Sequence, residues 1–193
     1  MKSSSRARAV AAVLASVVLL LLAGVLLFHN AVARGFFSVA KGCVGRNDPA
    51  AAARWTSYAI HFASGDLRLD LHESRISYLM GAGKRQEALE EVDRLLERDP
   101  SARGGRIWLQ RGDVLIHLRR FDEARAEAGR FLGATERSPD LNLIQSALCL
   151  QAEASLAEGD RARALREYRS AEAQGEGTEW GKRARKAAAD LSP

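Results

Sequence analysis

Two kinds of hydrophobic pattern divide the chain. Residues 9–28 form a run of twenty residues without a charged side chain. Downstream of this run, apolar residues recur every three or four positions, beginning with Phe36, Val39, Ala40 and Cys43. Such spacing places apolar side chains on one face of an α-helix. The pattern therefore predicts one helix that is apolar on all sides, followed by a series of amphipathic helices.

The apolar run has the length of a membrane span. At 1.5 Å per residue, a helix over residues 9–28 is about 30 Å long, the thickness of a bilayer's hydrocarbon core. We predict a transmembrane helix over residues 9–30 in the inner (cytoplasmic) membrane. The basic tail, residues 1–8, is then cytoplasmic, and the rest of the chain lies on the periplasmic or otherwise extracytoplasmic side.

A cleaved signal peptide is the alternative to an anchor. Its apolar core would be about 7–15 residues long, which is shorter than the run observed here. However, Ala31-Val32-Ala33 has the small-x-small form of a cleavage site. Cleavage there would leave a soluble periplasmic protein that begins at Arg34.

Turn and cap residues separate the amphipathic helices. No proline interrupts the chain between the apolar run and Asn47, so we predict that the first helix continues out of the membrane to this point. Asp48 can accept backbone N–H bonds at a helix N-terminus, and Pro49 is tolerated at the first helical position. Gly83 and Gly159 mark later turns, where the helix pattern breaks.

One stretch carries the most specific motif of the chain. Trp108, Gly112 and Leu115 place an aromatic, a small and a large residue on one helix, and Ala124 and Phe131 follow on the next. This stretch resembles one unit of a tetratricopeptide repeat (TPR), a helical hairpin with large and small residues at these positions. Alanines recur in the same phase at intervals of 36, 36 and 40 residues: Ala52, Ala88, Ala124 and Ala164.

The resemblance implies an all-α fold, a right-handed superhelix of antiparallel helix hairpins. Four repeats fit within residues 31–174, at about 33–66, 69–102, 105–138 and 139–174. A terminal helix over 178–191, with Trp180 and Ala184 on its apolar stripe, is predicted to cap the last repeat, with Arg183 and Arg185 pointing away from that stripe. The residues expected to pack the repeats are Phe36, Ala40, Ala52, Ala88, Trp108, Gly112, Leu115, Ala124, Ala152, Ala164 and Tyr168.

Neither the charge of the chain nor its histidines and cysteines change the prediction of a helical-repeat protein. The net charge is +5, but three basic residues precede the apolar run, and the 26 others nearly balance 24 acidic residues. Mixed charge along helices is typical of a solvated surface, so we expect no nucleic-acid partner. The histidines lack metal-binding spacing, and the two cysteines, Cys43 and Cys149, are too few for a metal cluster. We therefore expect no metal, no cofactor and no enzymatic activity.

The resemblance implies a protein–protein interaction scaffold whose concave groove receives a peptide or helix of a partner. The alternative is a non-catalytic assembly or chaperone subunit of a bacterial envelope or secretion complex. The phase of the repeats assigns seven residues to the groove: Glu73, Ser77, Arg106, Leu109, Asp113, Ile116 and Glu153. The three acidic residues, with the apolar Leu109 and Ile116, favour a basic amphipathic partner; the alternative is that all are merely solvated. The oligomeric state does not follow from the sequence.

Overall fold

The computed structural model describes residues 3–98, 105–134, 140–175 and 177–192. The side chains of residues 3–15, 20–23, 25–27 and 134 lie outside this description. Part of the predicted tail 1–8 and the predicted loops around Pro100 and Pro139 therefore fall outside the described residues.

All regular elements in the described ranges are α-helices. The first five are α1 (Ser3–Gly45), α2 (Pro49–Phe62), α3 (Gly65–Gly81), α4 (Arg85–Arg98) and α5 (Arg106–His117). They are followed by α6 (Phe121–Ala134), α7 (Leu141–Ala157), α8 (Arg161–Ala173) and α9 (Glu179–Leu191). The prediction of an all-α protein is confirmed.

The chain forms two compact units, Met1–Ala82 and Gly83–Pro193. The first contains α1 to α3 and the second contains α4 to α9. The boundary falls inside the predicted second repeat, residues 69–102, and α3 begins four residues before that repeat. The division into four repeats and the handedness of a superhelix stay predictions.

In the first unit, α1 runs without interruption from the apolar run into the amphipathic part, as the absence of proline predicts. The Asp48 side chain accepts a 2.8 Å hydrogen bond from the Ala51 N–H and so caps α2, again as predicted. Buried alanines on both helices, among them Ala40 and Ala52, let the two backbones approach closely. Phe36, the predicted aromatic of this pair, is half-buried beside them.

Within the part of the chain that the structure describes, we find no helix that is both long enough and apolar enough to span a membrane. The predicted transmembrane segment, residues 9–30, falls largely on positions whose side chains lie outside the described set.

In the second unit, α5 and α6 form the hairpin that the motif around Trp108 predicts. Gly112 is buried, and a Cβ atom there would lie 3.5 Å from the Ala124 carbonyl oxygen and would clash with Leu150 of α7. Ala124 and Leu115 are completely buried. A side chain at this position would therefore require Leu150 to move, because α5 contacts both α6 and α7 there.

The fourth predicted repeat corresponds to α7 and α8, and α9 packs on both. Ala152, Ala164, Tyr168 and Ala184 share one buried cluster. Trp180 and Leu191 are partly buried against it. The terminal helix therefore covers apolar surface of the last hairpin, as predicted.

Two predicted burial positions were wrong in detail. Val39 belongs to the predicted stripe of α1 but is 43% exposed, whereas its neighbour Ala40 is fully buried. Trp108 is only half-buried, while the adjacent Ile107 and Leu109 are buried. The physical reason at Trp108 is that α5 contacts α4, α6 and α7, so burial extends beyond the single stripe that periodicity identifies.

A row of glutamates accompanies the small alanines of α4, α6 and α8. Glu91, Glu127 and Glu167 each stand three residues after Ala88, Ala124 and Ala164, respectively. Glu91 and Glu127 are 2% and 3% exposed. A carboxylate with so little access to water requires a partner of opposite charge or hydrogen-bond donors.

Arg111 supplies that partner for Glu127. Its guanidinium lies 2.7 Å from a carboxylate oxygen of Glu127 and 2.7 Å from one of Asp93. Burial alone would lower the pKa of Arg111, but these two carboxylates outweigh it and raise the pKa. Arg111, an arginine where TPR units usually have leucine, is therefore explained by the acidic groups of α4 and α6.

We predict that Ala124→Leu destabilises the second unit by about 1–3 kcal/mol, because a larger side chain overpacks the contact between α5 and α6. Thermal melts of a chain that begins at His29 measure this effect. Ala126→Leu, an exposed position on the same helix, is the matched control and should leave the melting temperature nearly unchanged. Equal melting temperatures for both variants would contradict the assigned helix contact.

Candidate functional site: a groove between α5, α7 and α9

A concavity of the second unit lies between α5, α7 and α9. Its volume is about 340 Å³. Both apolar and charged side chains line it, a mixture suited to an amphipathic ligand. The lining residues are Arg106, Leu109, Gln110 and Asp113 of α5, Asn142, Leu143, Ser146, Leu150 and Glu153 of α7, and Trp180 and Arg183 of α9.

Local sequence determines where each of these helices begins. Gly105 precedes α5 with a φ of 87°, and a Cβ there would clash with the Phe131 ring. Asp140 caps α7 by accepting hydrogen bonds from the N–H groups of Asn142 and Leu143, at 3.0 and 3.3 Å. The groove therefore begins at helix N-termini that only these residue types support.

Gln145 of α7 holds α9, the third helix that lines the groove, in place. This side chain is completely buried in α7, and its Nε2 donates to the carbonyl oxygens of Ala171 and Gly175 at 3.0 and 2.5 Å. Its Oε1 accepts a hydrogen bond from the Thr178 hydroxyl, and that hydroxyl accepts one from the Gly181 N–H at 2.9 Å. One amide thus connects α7, the end of α8 and the N-terminus of α9.

An ion pair crosses the groove from α7 to α9. The Arg183 guanidinium lies 2.6 Å from a carboxylate oxygen of Glu153 and 4.9 Å above the Trp180 ring. Asp113, on the opposite wall, is 54% exposed and lies 3.8 Å from His117. Acidic and basic groups therefore alternate along the groove.

The Glu153 carboxylate is only partly compensated by its surroundings. Burial raises its pKa, Arg183 opposes that rise, and the nearby charge of Asp113 adds to it. Gln110 increases the number of acceptors, because its buried Oε1 has no hydrogen-bond partner among the residues that the structure describes. Three acceptor groups thus lie on one groove, where a donor from a ligand would improve their hydrogen bonding.

The structure brings together four of the seven residues assigned from sequence. Arg106, Leu109, Asp113 and Glu153 line the groove, although Leu109 is only 6% exposed. Ile116 is absent from the lining and packs beside the buried cluster of Leu109 and Ala128. Glu73 and Ser77 lie on α3 of the first unit, where the Ser77 hydroxyl donates to the Glu73 carbonyl oxygen at 3.2 Å.

The expectation for Arg183 was wrong. Arg183 does not point away from the apolar stripe of α9, because it stacks on Trp180 and pairs with Glu153. Arg185 is exposed, away from that stripe, and reaches Glu172 at 3.4 Å. The acidic line inferred from Asp113 and Glu153 is therefore interrupted by a basic residue from the capping helix.

Apart from Glu153, sequence reasoning missed the contributions of α7, and it missed those of α9 entirely. Asn142, Ser146, Trp180 and Arg183 were not assigned to the groove, although all four line it. The phase of a repeat identifies which face of one hairpin is concave, but α9 lies outside the repeats. A spacing of three residues between Trp180 and Arg183, which places both on one helix face, was the available signal.

The nucleophilic side chains near the groove are not activated. Burial, with the Glu153 charge, raises the pKa of Cys149 to about 12. Burial likewise raises the pKa of Tyr168 to about 12. Both groups remain protonated at neutral pH. Among the described residues, no group of three or more His, Cys, Asp or Glu side chains is placed to hold a metal ion.

The fold is similar to that of solved TPR-type proteins. The structure of the MamA RS-1 ArsTM double mutant matches 82% of this chain and 92% of its own, with a TM-score of 0.58 and 15% sequence identity. The TPR domain of P58(IPK) matches 82% of this chain and 55% of its own, at 14% identity and a TM-score of 0.33, too low to carry weight. No family model and no curated protein sequence matches the chain. The chain therefore has a TPR-like helical-repeat fold.

We predict that Gln145→Leu selectively loosens α9, because it removes the hydrogen bonds of Gln145 to the Thr178 hydroxyl and to the carbonyl oxygens of Ala171 and Gly175, at a cost of about 1–3 kcal/mol. Hydrogen exchange of the α9 amides measures the effect, which should exceed that on α5. Asn142→Leu, an exposed position on the same helix, is the control. Unchanged protection of α9 would mean that apolar packing alone holds this helix.

Proposed function

We propose that the protein is a non-catalytic interaction scaffold that binds a peptide or helix of a partner protein in the groove between α5, α7 and α9. The observation that carries this proposal is the lining of the groove. Buried apolar residues form its base, and charged residues form its rim. A TPR-like fold is typical of protein–protein interaction modules, which supports the same conclusion.

The groove favours a basic amphipathic segment as the ligand. Asp113, Glu153 and the Gln110 Oε1 supply acceptors, and Leu109 with Leu150 supplies apolar surface. A lysine or arginine of the partner would compensate the Glu153 carboxylate more fully than Arg183 does alone. The Trp180 indole ring and the Arg183 guanidinium offer a second surface on which a partner side chain can stack.

We further propose that α1 anchors this scaffold in the inner membrane, with the helical units on the extracytoplasmic side. The uncharged run of residues 9–28 is the basis of this proposal. A role as an assembly or chaperone subunit of an envelope or secretion complex is compatible with the same architecture.

The packing of α1 favours retention of the anchor over cleavage after Ala33. Ala33 is completely buried in a cluster with Ala59 and Leu71. The Asn30 side chain accepts hydrogen bonds from the Ser64 N–H and hydroxyl at 3.1 and 3.2 Å. Cleavage after Ala33 would remove these contacts and so would destabilise the first unit.

We predict that Asp113→Lys weakens partner capture because it replaces an acceptor on the groove rim with a repelling charge. The measurement is a crosslinking pull-down from solubilised membranes, with circular dichroism to verify folding. Asp122→Lys, at a side chain that is 98% exposed outside the groove, is the matched control. Loss of capture in both variants, or in neither, would contradict a charge-selective groove.

Combining Asp113→Lys with Glu73→Lys and Glu153→Lys extends the test to all three predicted acids. The triple variant is expected to abolish capture, and Glu73→Lys alone tests whether the first unit takes part. Recovery of the same partners by the triple variant would exclude this surface as the binding site.

We predict that the full-length protein stays in membranes through high salt and carbonate, because lipid rather than charge holds an apolar segment of this length. Mass spectrometry of the mature N-terminus is the second measurement and should find residues upstream of Arg34. A mature chain that begins at Arg34 would establish a cleaved signal peptide instead.

A further inference from the structure

Half of the aromatic residues of the chain are concentrated on two helices. The sequence contains twelve Phe, Trp and Tyr residues, and six of them lie on α1 and α2. Four of the six are partly buried and pack against core clusters made mainly of alanines: Phe36, Phe37, Trp55 and Phe62. The core does not account for the other two, Phe28 and Tyr58, which are exposed.

Five of these side chains and a histidine form a continuous line, which we call the aromatic row. It consists of Phe28, His29, Phe62, Phe36, Tyr58 and Trp55. Ring centroids are 6.4 Å apart for Phe28 and His29 and 6.2 Å for His29 and Phe62. Phe36 continues the line at 5.7 Å from Phe62, 6.0 Å from Tyr58 and 5.8 Å from Trp55.

The aromatic row is exposed at Phe28 and Tyr58 and half-buried at Phe36, Phe62 and Trp55. Phe28 is 69% exposed and Tyr58 is 56% exposed, and Val39 beside Phe36 is 43% exposed. Contiguous apolar surface of this kind on a folded protein commonly marks contact with another molecule or with lipid. Tyr and Trp suit a boundary between apolar and aqueous surroundings, because each combines an apolar ring with a hydrogen-bonding group.

We infer that the aromatic row lies in the headgroup region of the bilayer that residues 9–28 enter. This inference rests on the membrane anchor proposed above. Phe28 is both the last residue of the uncharged run and the first ring of the row, and both belong to the same uninterrupted helix α1. Aromatic side chains immediately beyond a hydrophobic span are typical of membrane interfaces.

The charges of α1 and α2 are complementary to anionic lipid. Neither helix contains an acidic residue, and of the 24 acidic residues in the chain only Asp48 precedes Asp66. The charged residues of the two helices beyond the uncharged run are basic and include Arg34, Lys41 and Arg54. The Lys41 ammonium lies 4.6 Å from the ring centroid of Phe37, which is not part of the row. Basic residues next to a span are attracted to anionic headgroups.

Helix geometry gives the height of the row above the hydrocarbon core. Phe36 lies eight residues beyond Phe28, which is about 12 Å along the axis of α1. The polar layer of one leaflet is about 5–8 Å thick, and a helix tilt of about 40° reduces the height of Phe36 to about 9 Å. Phe28 and His29 would therefore lie among the headgroups, and Phe36 with the rings beside it would lie at the water-facing boundary of that region.

Single-cysteine spin labels on the full-length protein test this placement. Phe28→Cys and Tyr58→Cys place labels on the row, and Val44→Cys is the matched control. Val44 is 44% exposed on the same helix but lies about 24 Å beyond Phe28. The native Cys43 and Cys149 are buried and so should label poorly. The protein is reconstituted in vesicles of phosphatidylcholine and phosphatidylglycerol, and label accessibility to oxygen and to a water-soluble nickel complex is measured.

The expected result is a higher ratio of oxygen to nickel accessibility at Phe28 and Tyr58 than at Val44, with the largest ratio at Phe28. Equal ratios at Tyr58 and Val44, in protein that floats with the vesicles after carbonate washing, would overturn the inference but leave the anchor intact. Labels shielded from both reagents would indicate a protein partner or a second copy on the row, which also overturns it. Protein that does not float would refute the anchor and the inference together.

Discussion

Close approach of paired helices at small side chains is the constraint on which the rest of the structure depends. Ala52, Ala88, Ala124 and Ala164 are all completely buried, one near the start of each second helix. Alanine permits a short distance between helix axes, so the larger residues around it, such as Leu115 and Phe131, can fill the remaining space without a cavity. Three of them, Ala52, Ala124 and Ala164, lie on helices that pack against the helix preceding them in the chain.

Buried charge follows from the same geometry. The glutamates three residues after Ala88, Ala124 and Ala164 lie near a helix–helix interface, where an unpaired carboxylate would be costly. Arg111 compensates Glu127 and Asp93, while the Ser155 hydroxyl donates to Glu167 at 2.6 Å and Arg125 donates to Glu158 at 2.6 Å. These polar contacts hold neighbouring helices in a specific register. Apolar packing between alanines restricts that register less strictly.

In these proposals, each of the two units contacts a different kind of partner. The groove in the second unit offers a small, mixed surface to a protein segment, whereas the row in the first unit offers aromatic rings and basic charge to lipid. Gln145 is important for the groove because it holds α9, and with it Trp180 and Arg183, against α7. Asn30 and Ala33 are important for the aromatic row because they join α1 to the rest of its unit.

The sequence by itself determined the helices, their caps and most of their buried faces. Periodicity and local chemistry suffice for Asp48 capping α2 or for Gly112 facing Ala124, since both depend on residues close in the chain or on a repeated spacing. Contacts between distant residues were decided only by the tertiary structure. The pairing of Arg183 with Glu153 and the exclusion of Ile116 from the groove depend on how α9 and α5 rotate against α7. A rotation of a few tens of degrees changes which side chain faces the groove, and no pattern within a single helix specifies it.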